Sequence, residues 1–305
     1  VRIAVTGASG FVGGAVCRAA AEAGWTVYAY GRRPAAHVAG TYSRWDITTG
    51  PLRDPPAVAA VVHCAGSVTD WAPRAEQWAA NVDGTRNVLR SFPGARIVHV
   101  STGSVYDPRH PTVMATEDQA PIRRYPNTYG ASKAATERVV TASRQNAVIL
   151  RPHAVYGPGD TTLLPRVLSA VRGSRLIAVG DGTQRVSLTS VGNLAAACLL
   201  AAAADVRGVF NITDTEPALL ADVLREVLAA RAIPARVRFV PLAVAWPVAC
   251  VAEAIATLPR RRTPPRLTRY AVSHLAHERT LDITAARTVL GYRPDPTSLA
   301  GASAW

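Results

Sequence analysis

Tyr129 and Lys133 stand one helical turn apart in Tyr129-Gly130-Ala131-Ser132-Lys133, at the start of a helical pattern, so their side chains share one face. A phenol is a poor proton donor or acceptor near neutral pH. A neighbouring ammonium favours its ionised form and lowers its pKa, which makes Tyr129 a candidate general acid or base. Lys133 is the only lysine in a chain whose 34 Lys and Arg residues are otherwise all arginine, so this one position keeps the compact point charge. Upstream, Val100-Ser101-Thr102-Gly103-Ser104-Val105-Tyr106 closes an apolar run with hydroxyls. One of Ser101, Thr102 and Ser104 can hydrogen-bond a substrate oxygen and stabilise the charge that develops there.

A second constellation is Val5-Thr6-Gly7-Ala8-Ser9-Gly10-Phe11-Val12-Gly13, where a first strand turns into a first helix. Gly7 permits the turn, Gly10 lets backbone approach a pyrophosphate, and Gly13 allows close packing of helix on sheet. The run from Ser9 through Phe11 and Val12 presents unpaired N–H groups and the positive end of the helix dipole. A dinucleotide is the expected ligand. NAD-preferring sites carry a carboxylate about 20 residues further on, yet no Asp or Glu lies between Glu22 and Asp46. Gly31-Arg32-Arg33 occupies that place. Two guanidinium groups match a 2′-phosphate in geometry and charge, so NADP(H) is favoured; solvated arginines would leave NAD(H) as the alternative. Asp46, before Ile47, can accept from an adenine amino group, though an exposed turn aspartate would look the same.

The elements that must position these groups follow from apolar periodicity. Runs at 2–6, 26–30, 60–65, 95–101 and 147–151 read as buried strands, and 11–23 and 78–91 as helices between them. Strand and helix alternating in this way give an α/β fold, a Rossmann doubly wound parallel sheet that binds ligand beyond the carboxyl ends of its strands. Residues 1–160 form the expected NADP-binding domain, to which 186–213 return. Residues 161–305, loosened by Pro165, Pro217, Pro234, Pro241 and the Arg260 to Pro265 segment, form a smaller mixed substrate-binding region.

Length and composition narrow the classes. The 305 residues, 49% hydrophobic and 18% charged, can bury a substantial core, which argues against disorder and small disulfide scaffolds. The net charge of +13 is spread along the chain as arginine, a pattern of biased composition rather than a nucleic-acid footprint. Cys17, Cys64, Cys198 and Cys250 are scattered, so no metal site is expected and a reduced, cytoplasmic setting suits them. The apolar run starting at Arg2 leaves no room for a leader. Val240 to Leu258 is broken by Pro241, Pro247 and Glu253 and reads as a buried or amphipathic helix, not a span. Arg260 to Arg262 follow it, which keeps a peripheral membrane contact open.

Thr6 to Gly13, His63-Cys64-Ala65-Gly66, Asn81-Val82-Asp83-Gly84-Thr85, Ser101 to Tyr106, Tyr129 to Lys133 and Leu150 to Asp160 together resemble the extended short-chain dehydrogenase/reductase superfamily. Val179 to Gly182, Val191 to Ala195, Phe210 to Asp214 and Leu290 to Pro294 are most similar to its 3β-hydroxysteroid dehydrogenase-like, epimerase/dehydratase branch. The resemblance makes Tyr129 the acid/base and Lys133 its electrostatic and ribose partner. It gives Thr102 the substrate oxygen, with Ser101 or Ser104 as replacements, and Asn81 a supporting hydrogen bond. It sets Ala65, Gly66, Ser101, Pro152, His153 and Val155 along the cofactor, His153 as a wall. Trp71, Ser104, Tyr156, Arg185 and the 240–258 helix are the expected substrate contacts. Two departures stand out: Gly192 occupies a place where the branch has aspartate, and Gly103-Ser104 replace the Asp-Glu pair that sugar-nucleotide dehydratases carry after their threonine.

The resulting expectation is an NADP(H)-dependent oxidoreductase interconverting a secondary alcohol and a ketone, with a small-molecule substrate, no nucleic acid, and a homodimer as the default assembly. A sugar-nucleotide epimerase holding NAD tightly is the enzymatic alternative, with Arg185 meeting a diphosphate. A non-catalytic NADP-binding sensor or scaffold is the alternative of another class.

Overall fold

β1 (Arg2–Thr6), β2 (Thr26–Gly31), β3 (Thr41–Arg44), β4 (Ala60–His63), β5 (Arg96–Val100), β7 (Val148–Pro152) and β13 (Gly208–Ile212) make a wholly parallel sheet in the order β13-β7-β5-β4-β1-β2-β3. This computed structural model describes residues 1–35, 38–69, 71–143, 146–256 and 268–305. Alternate residues of each strand enter opposite cores, as expected where both faces are covered. Val5, Val62, Val98 and Leu150 meet α1 (Phe11–Glu22) and α6 (Val191–Ala203) on one face. Ala4, Val61, Ile97 and Ile149 meet α3 (Gly84–Ser91) and α4 (Thr128–Ser143) on the other. The chain order reverses between β1 and β4, so the fold is a Rossmann doubly wound sheet with its crevice there.

Three local expectations change. The strands expected over 60–65 and 95–101 stop at His63 and Val100, freeing Cys64 to Gly66 and Ser101 to line the carboxyl edge. The helix expected over 78–91 is α2 (Arg74–Trp78), a π-helical turn Ala79–Asp83 and then α3. β3 escaped the apolar-run reading because Thr41-Tyr42-Ser43-Arg44 is a short, exposed edge strand.

The remaining elements form a smaller mixed region. β6 (Thr112–Ala115), β11 (Arg185–Val186), β14 (Ala218–Leu219) and β16 (Arg279–Leu281) make one sheet, β9 (Val171–Arg172), β10 (Arg175–Val179) and β15 (Arg236–Val240) a second, and β8 (Val155–Tyr156) with β12 (Thr189–Ser190) a third. The helices are α5 (Leu163–Ser169), α7 (Leu220–Ala230), α8 (Leu242–Ala256), α9 (Arg269–Ala276) and α10 (Thr284–Val289). The helix expected from Val240 starts at Leu242, because Val240 is paired in β15; its end at Leu258 and the Arg260 to Pro265 segment lie outside the described residues. Among the described residues no helix is long and apolar enough to cross a membrane.

Candidate active site

At the carboxyl end of β1 the glycines are dictated by contact. A Cβ on Gly7, whose φ is +73°, would lie 2.8 Å from Ala65 N, and one on Gly13 would lie 2.3 Å from Gly7 O. The loops after β1 and β4 therefore touch, bringing Ala65 and Gly66 beside Gly7. α1 begins at Phe11 with Gly10 as N-cap, no capping side chain and no acidic residue in its first turn. That uncapped, carboxylate-free helix start, with only backbone lining its approach, fits a dinucleotide pyrophosphate.

The basic pair lies on the same rim. Arg33 Nη2 donates to Ser9 O at 3.4 Å, so its guanidinium reaches back to the glycine loop. Arg44, from the missed strand β3, donates from Nε to Arg32 O at 3.1 Å and adds a third guanidinium. Asp46 sits among them. Burial pushes its carboxyl up, but the Thr48 N–H and hydroxyl and the charges of Arg32 and Arg44 outweigh that and hold it below the usual carboxylate range. Asp46 Oδ1 caps a 3-10 turn at Thr48, 3.0 Å away, while Ile47 is buried against Gly84.

Under the carboxyl edge runs a buried relay. Thr85 Oγ1 donates to Asn81 O at 2.5 Å, so His63 Nε2–H must donate to Thr85 at 2.9 Å and His63 Nδ1 must accept from Thr6 at 2.7 Å. Burial pulls His63 down to about 3, with Lys133 acting in the same direction, so the ring is neutral. Asn81, on the π turn, accepts from Ser67 N at 2.7 Å and donates to Ser132 Oγ at 2.8 Å, tying the β4 loop to α4 beside Lys133. A π turn interrupting a helix is a recurrent device at functional sites.

α4 delivers the phenol and the amine. Asn127 Oδ1 caps it by accepting from Gly130 N at 2.7 Å. A Cβ on Gly130 would lie 2.9 Å from Ser104 O and from the Tyr125 ring, so glycine is what lets this first turn press on the 102–106 segment. Tyr129 is only 8% exposed, and its ring meets that of Tyr270 edge-on at 6.3 Å. Lys133 Nζ, also buried, donates to Val100 O at 2.8 Å, the last residue of β5. One of its three N–H groups is thereby spent. Burial pushes the amine down to about 8, against the opposing pull of Glu137 and Cys64.

The three candidate hydroxyls part company. Ser101 Oγ donates to Glu137 Oε1 at 2.5 Å, into a buried network where Arg151 pairs with Glu137 at 2.8 Å, so this side chain is withdrawn from the substrate side. Thr102 Oγ1 accepts from Ser104 N and donates to Ser104 Oγ, both at 3.1 Å. Ser104 Oγ in turn shares a 2.6 Å hydrogen bond with Tyr270 Oη. Tyr270 and His274, both on α9, were not expected from sequence. His274 lies 4.3 Å from the Tyr270 ring and stacks at 6.1 Å on His153, and its Nε2 is buried with no hydrogen-bond partner among the described residues. His153 itself packs on Gly103 and donates from Nδ1 to Ser187 O at 2.7 Å; burial pulls it down to about 4. It lies between Pro152 at the end of β7 and Val155.

Two expected substrate contacts have partners within the fold. Tyr156 is buried with its hydroxyl donating to Asp214 at 2.7 Å and accepting from Ser298 N at 3.0 Å, so it packs the second region against Trp305 and is closed to a substrate. Arg185 is exposed on β11, between β14 and β16 in the four-stranded sheet, and donates to Pro217 O at 2.7 Å. Trp71 is half-buried, its backbone N–H donating to Thr69 Oγ1; Thr69 and Val68 line a cleft of about 430 Å³ with α5, but Trp71 itself does not. The packing around Gly192 is carried by Asp214, which accepts from Ser190 N and Asn193 Nδ2 at 2.7 Å each.

The profile of the NAD dependent epimerase/dehydratase family matches residues 3–213. The chain belongs to that family. A 2-alkyl-3-oxoalkanoate reductase from Stenotrophomonas maltophilia is 32% identical over 96% of this chain and 95% of its own. A 3 beta-hydroxysteroid dehydrogenase/Delta 5-->4-isomerase from Mycobacterium tuberculosis is 29% identical over 75% of this chain and 69% of its own. The solved structure of MoeE5 in complex with UDP-glucuronic acid and NAD has a TM-score of 0.76 at 24% identity, covering 100% of this chain and 97% of that one, a likeness of fold. Within the epimerase/dehydratase family this chain is of the extended short-chain dehydrogenase/reductase type, an NAD(P)-dependent oxidoreductase.

Proposed function

We propose that this chain is an NADP(H)-dependent ketoreductase that interconverts a secondary alcohol and a ketone on a largely apolar substrate. The carrying observation is the convergence of a buried Tyr129, a buried Lys133 and the Thr102–Ser104 hydroxyl pair at one strand edge. When bound, the nicotinamide supplies or accepts the hydride. In reduction, Tyr129 gives its proton to the carbonyl oxygen as that oxygen becomes a hydroxyl, and Lys133 stabilises the phenolate left behind. Thr102 or Ser104 donates to the same oxygen and holds it in line. Arg32, Arg33 and Arg44 would bind the 2′-phosphate, and Gly7 to Gly13 the pyrophosphate. Residues 161–305, through Tyr270 and His274, would close the substrate side. End-to-end similarity to the Stenotrophomonas reductase makes β-keto acids the first substrates to try.

The test is consumption of NADPH, with NADH in parallel, across apolar ketones, β-keto acids and keto-sugar nucleotides. Turnover confined to the reduced phosphorylated cofactor and an apolar ketone is the expected result. Cofactor retained through purification, with epimerised sugar nucleotide and no net oxidation, would instead support the epimerase reading that the family name favours. A cellular effect that survives Tyr129→Phe intact would point to a sensor.

A further inference from the structure

α8 is inside out. Its small residues Ala245, Ala249 and Ala256 are buried, the first two against Val179, Val240 and Val272, where β10 and β15 end and α9 packs. Its large apolar residues face outward: Val244 is 56% exposed, Trp246 40%, Val248 55%, Val251 59% and Ile255 44%. Val244, Val248, Val251 and Ile255 recur at spacings of four, three and four, which keeps them within an arc of about 60° on the helix. The only charged residue of α8 is Glu253, and Arg269 takes both its oxygens, through its N–H and its Nε at 2.6 Å each. The outer stripe therefore carries no charge of its own.

The sheet that seats α8 supplies charge of one sign. Arg172, Arg175, Arg236 and Arg238 are exposed on β9, β10 and β15, where Arg175 pairs in register with Arg172 and Arg236, and the exposed Ile177 with Arg238. None of the three strands contains an acidic residue, and among the described residues Arg175, Arg236 and Arg238 make no ion pair. Only Pro241 separates β15 from α8.

We propose that the exposed face of α8 docks on an anionic lipid bilayer, the stripe entering the acyl boundary and the arginines of β10 and β15 meeting headgroup phosphates. Charge decides the occupant. A second copy seated there through the same face would oppose two such arginine sheets on chains of +13 each. The 15 residues of α8 reach about 22 Å, short of the roughly 30 Å a span needs, and they include Pro247. The helix lies in the interface.

The experiment is co-sedimentation of the full chain with vesicles of phosphatidylcholine alone and of equimolar phosphatidylcholine and phosphatidylglycerol. No turnover is read, so the outcome is independent of the catalytic proposal. The natural chain should partition onto the anionic vesicles and lose binding as salt rises. Val248→Asp/Val251→Asp should weaken that partition at least about tenfold, and Arg236→Ser/Arg238→Ser should weaken it less. All four sites are exposed, and circular dichroism checks the fold; should the aspartate pair misfold, Val244→Ser/Ile255→Ser on the same stripe gives the same reading. No partition of the natural chain, equal partition of the aspartate pair, or neutral vesicles binding as well as anionic ones would overturn the proposal. So would a dimer that the aspartate pair dissolves while vesicles bind neither protein.

Discussion

The Gly7–Gly13 wall of the cleft is backbone, shaped by contacts no Cβ could survive, and its partners at Ala65 and Arg33 come from the adjacent strands β4 and β2. On the side proposed for the substrate the contacts are between side chains: Tyr270, with His274 beside it on α9, reaches Ser104 from 166 residues away in sequence. A wall of backbone and glycine can hold one ligand class through many sequences. A wall of side chains on a late, separately packed helix can be recut for each substrate. The difference explains why the cofactor class is legible in the family named for epimerases and dehydratases while similar proteins are named reductases and dehydrogenases.

The comparison breaks first at Tyr129, whose ring meets Tyr270. Tyr129→Phe should lower ketone reduction about 100- to 10,000-fold while leaving cofactor affinity, read by quenching of protein fluorescence, near the natural value. A variant that keeps more than a tenth of the natural rate would remove the phenol from the chemistry. On the backbone wall, Arg32→Ala/Arg33→Ala should weaken NADPH binding about 100-fold and NADH binding little. Equal losses for the two cofactors would mean the pair meets no 2′-phosphate.

Lys133 gives a pH signature. With its amine pushed down to about 8, the ammonium that supports the phenolate is lost as pH rises through that value, so the reduction rate should fall there. A flat profile up to pH 10 would separate Lys133 from the proton step. On the side-chain wall, Tyr270→Phe should raise the substrate KM about three- to tenfold with cofactor affinity unchanged, since it removes one hydroxyl from the Ser104 chain. An unchanged KM would confine Tyr270 to packing.

The remaining effect is on stability. His153 and His63 stay neutral in the folded chain down to about 4 and about 3, whereas in the unfolded chain they protonate near their ordinary 6.5. The unfolded state therefore takes up more protons as pH drops below 6.5, and stability falls by up to about 1.4 kcal/mol per pH unit for each ring. The contribution is complete above 6.5, and that of His153 is gone by about pH 4. Denaturant midpoints that do not move between pH 7 and 5 would contradict this.

Much of the sheet could be read before any coordinates, because buried parallel strands are near-continuous apolar runs and the glycine loop punctuates the first of them. β3 was missed for the converse reason: an exposed edge strand carries no apolar run, and with it Arg44 was lost from the basic cluster. The π turn was invisible because Asn81 departs from the helix to satisfy Ser67 and Ser132, partners 14 residues before and 51 after it. Tyr156 misled because it lies three residues past His153 yet turns into the core of the second region.

By itself the sequence determined the fold class, the dinucleotide loop and the tyrosine–lysine spacing, since each rests on residues within one or two turns of one another, where covalent geometry fixes proximity. Tertiary structure alone decided that Ser101 turns inward to Glu137 while Ser104 meets Tyr270, that His274 stacks on His153, and that α8 wears its large residues outside. Those choices depend on which surfaces meet once the strands are stacked, and a one-dimensional pattern carries no record of contacts made across more than a hundred residues.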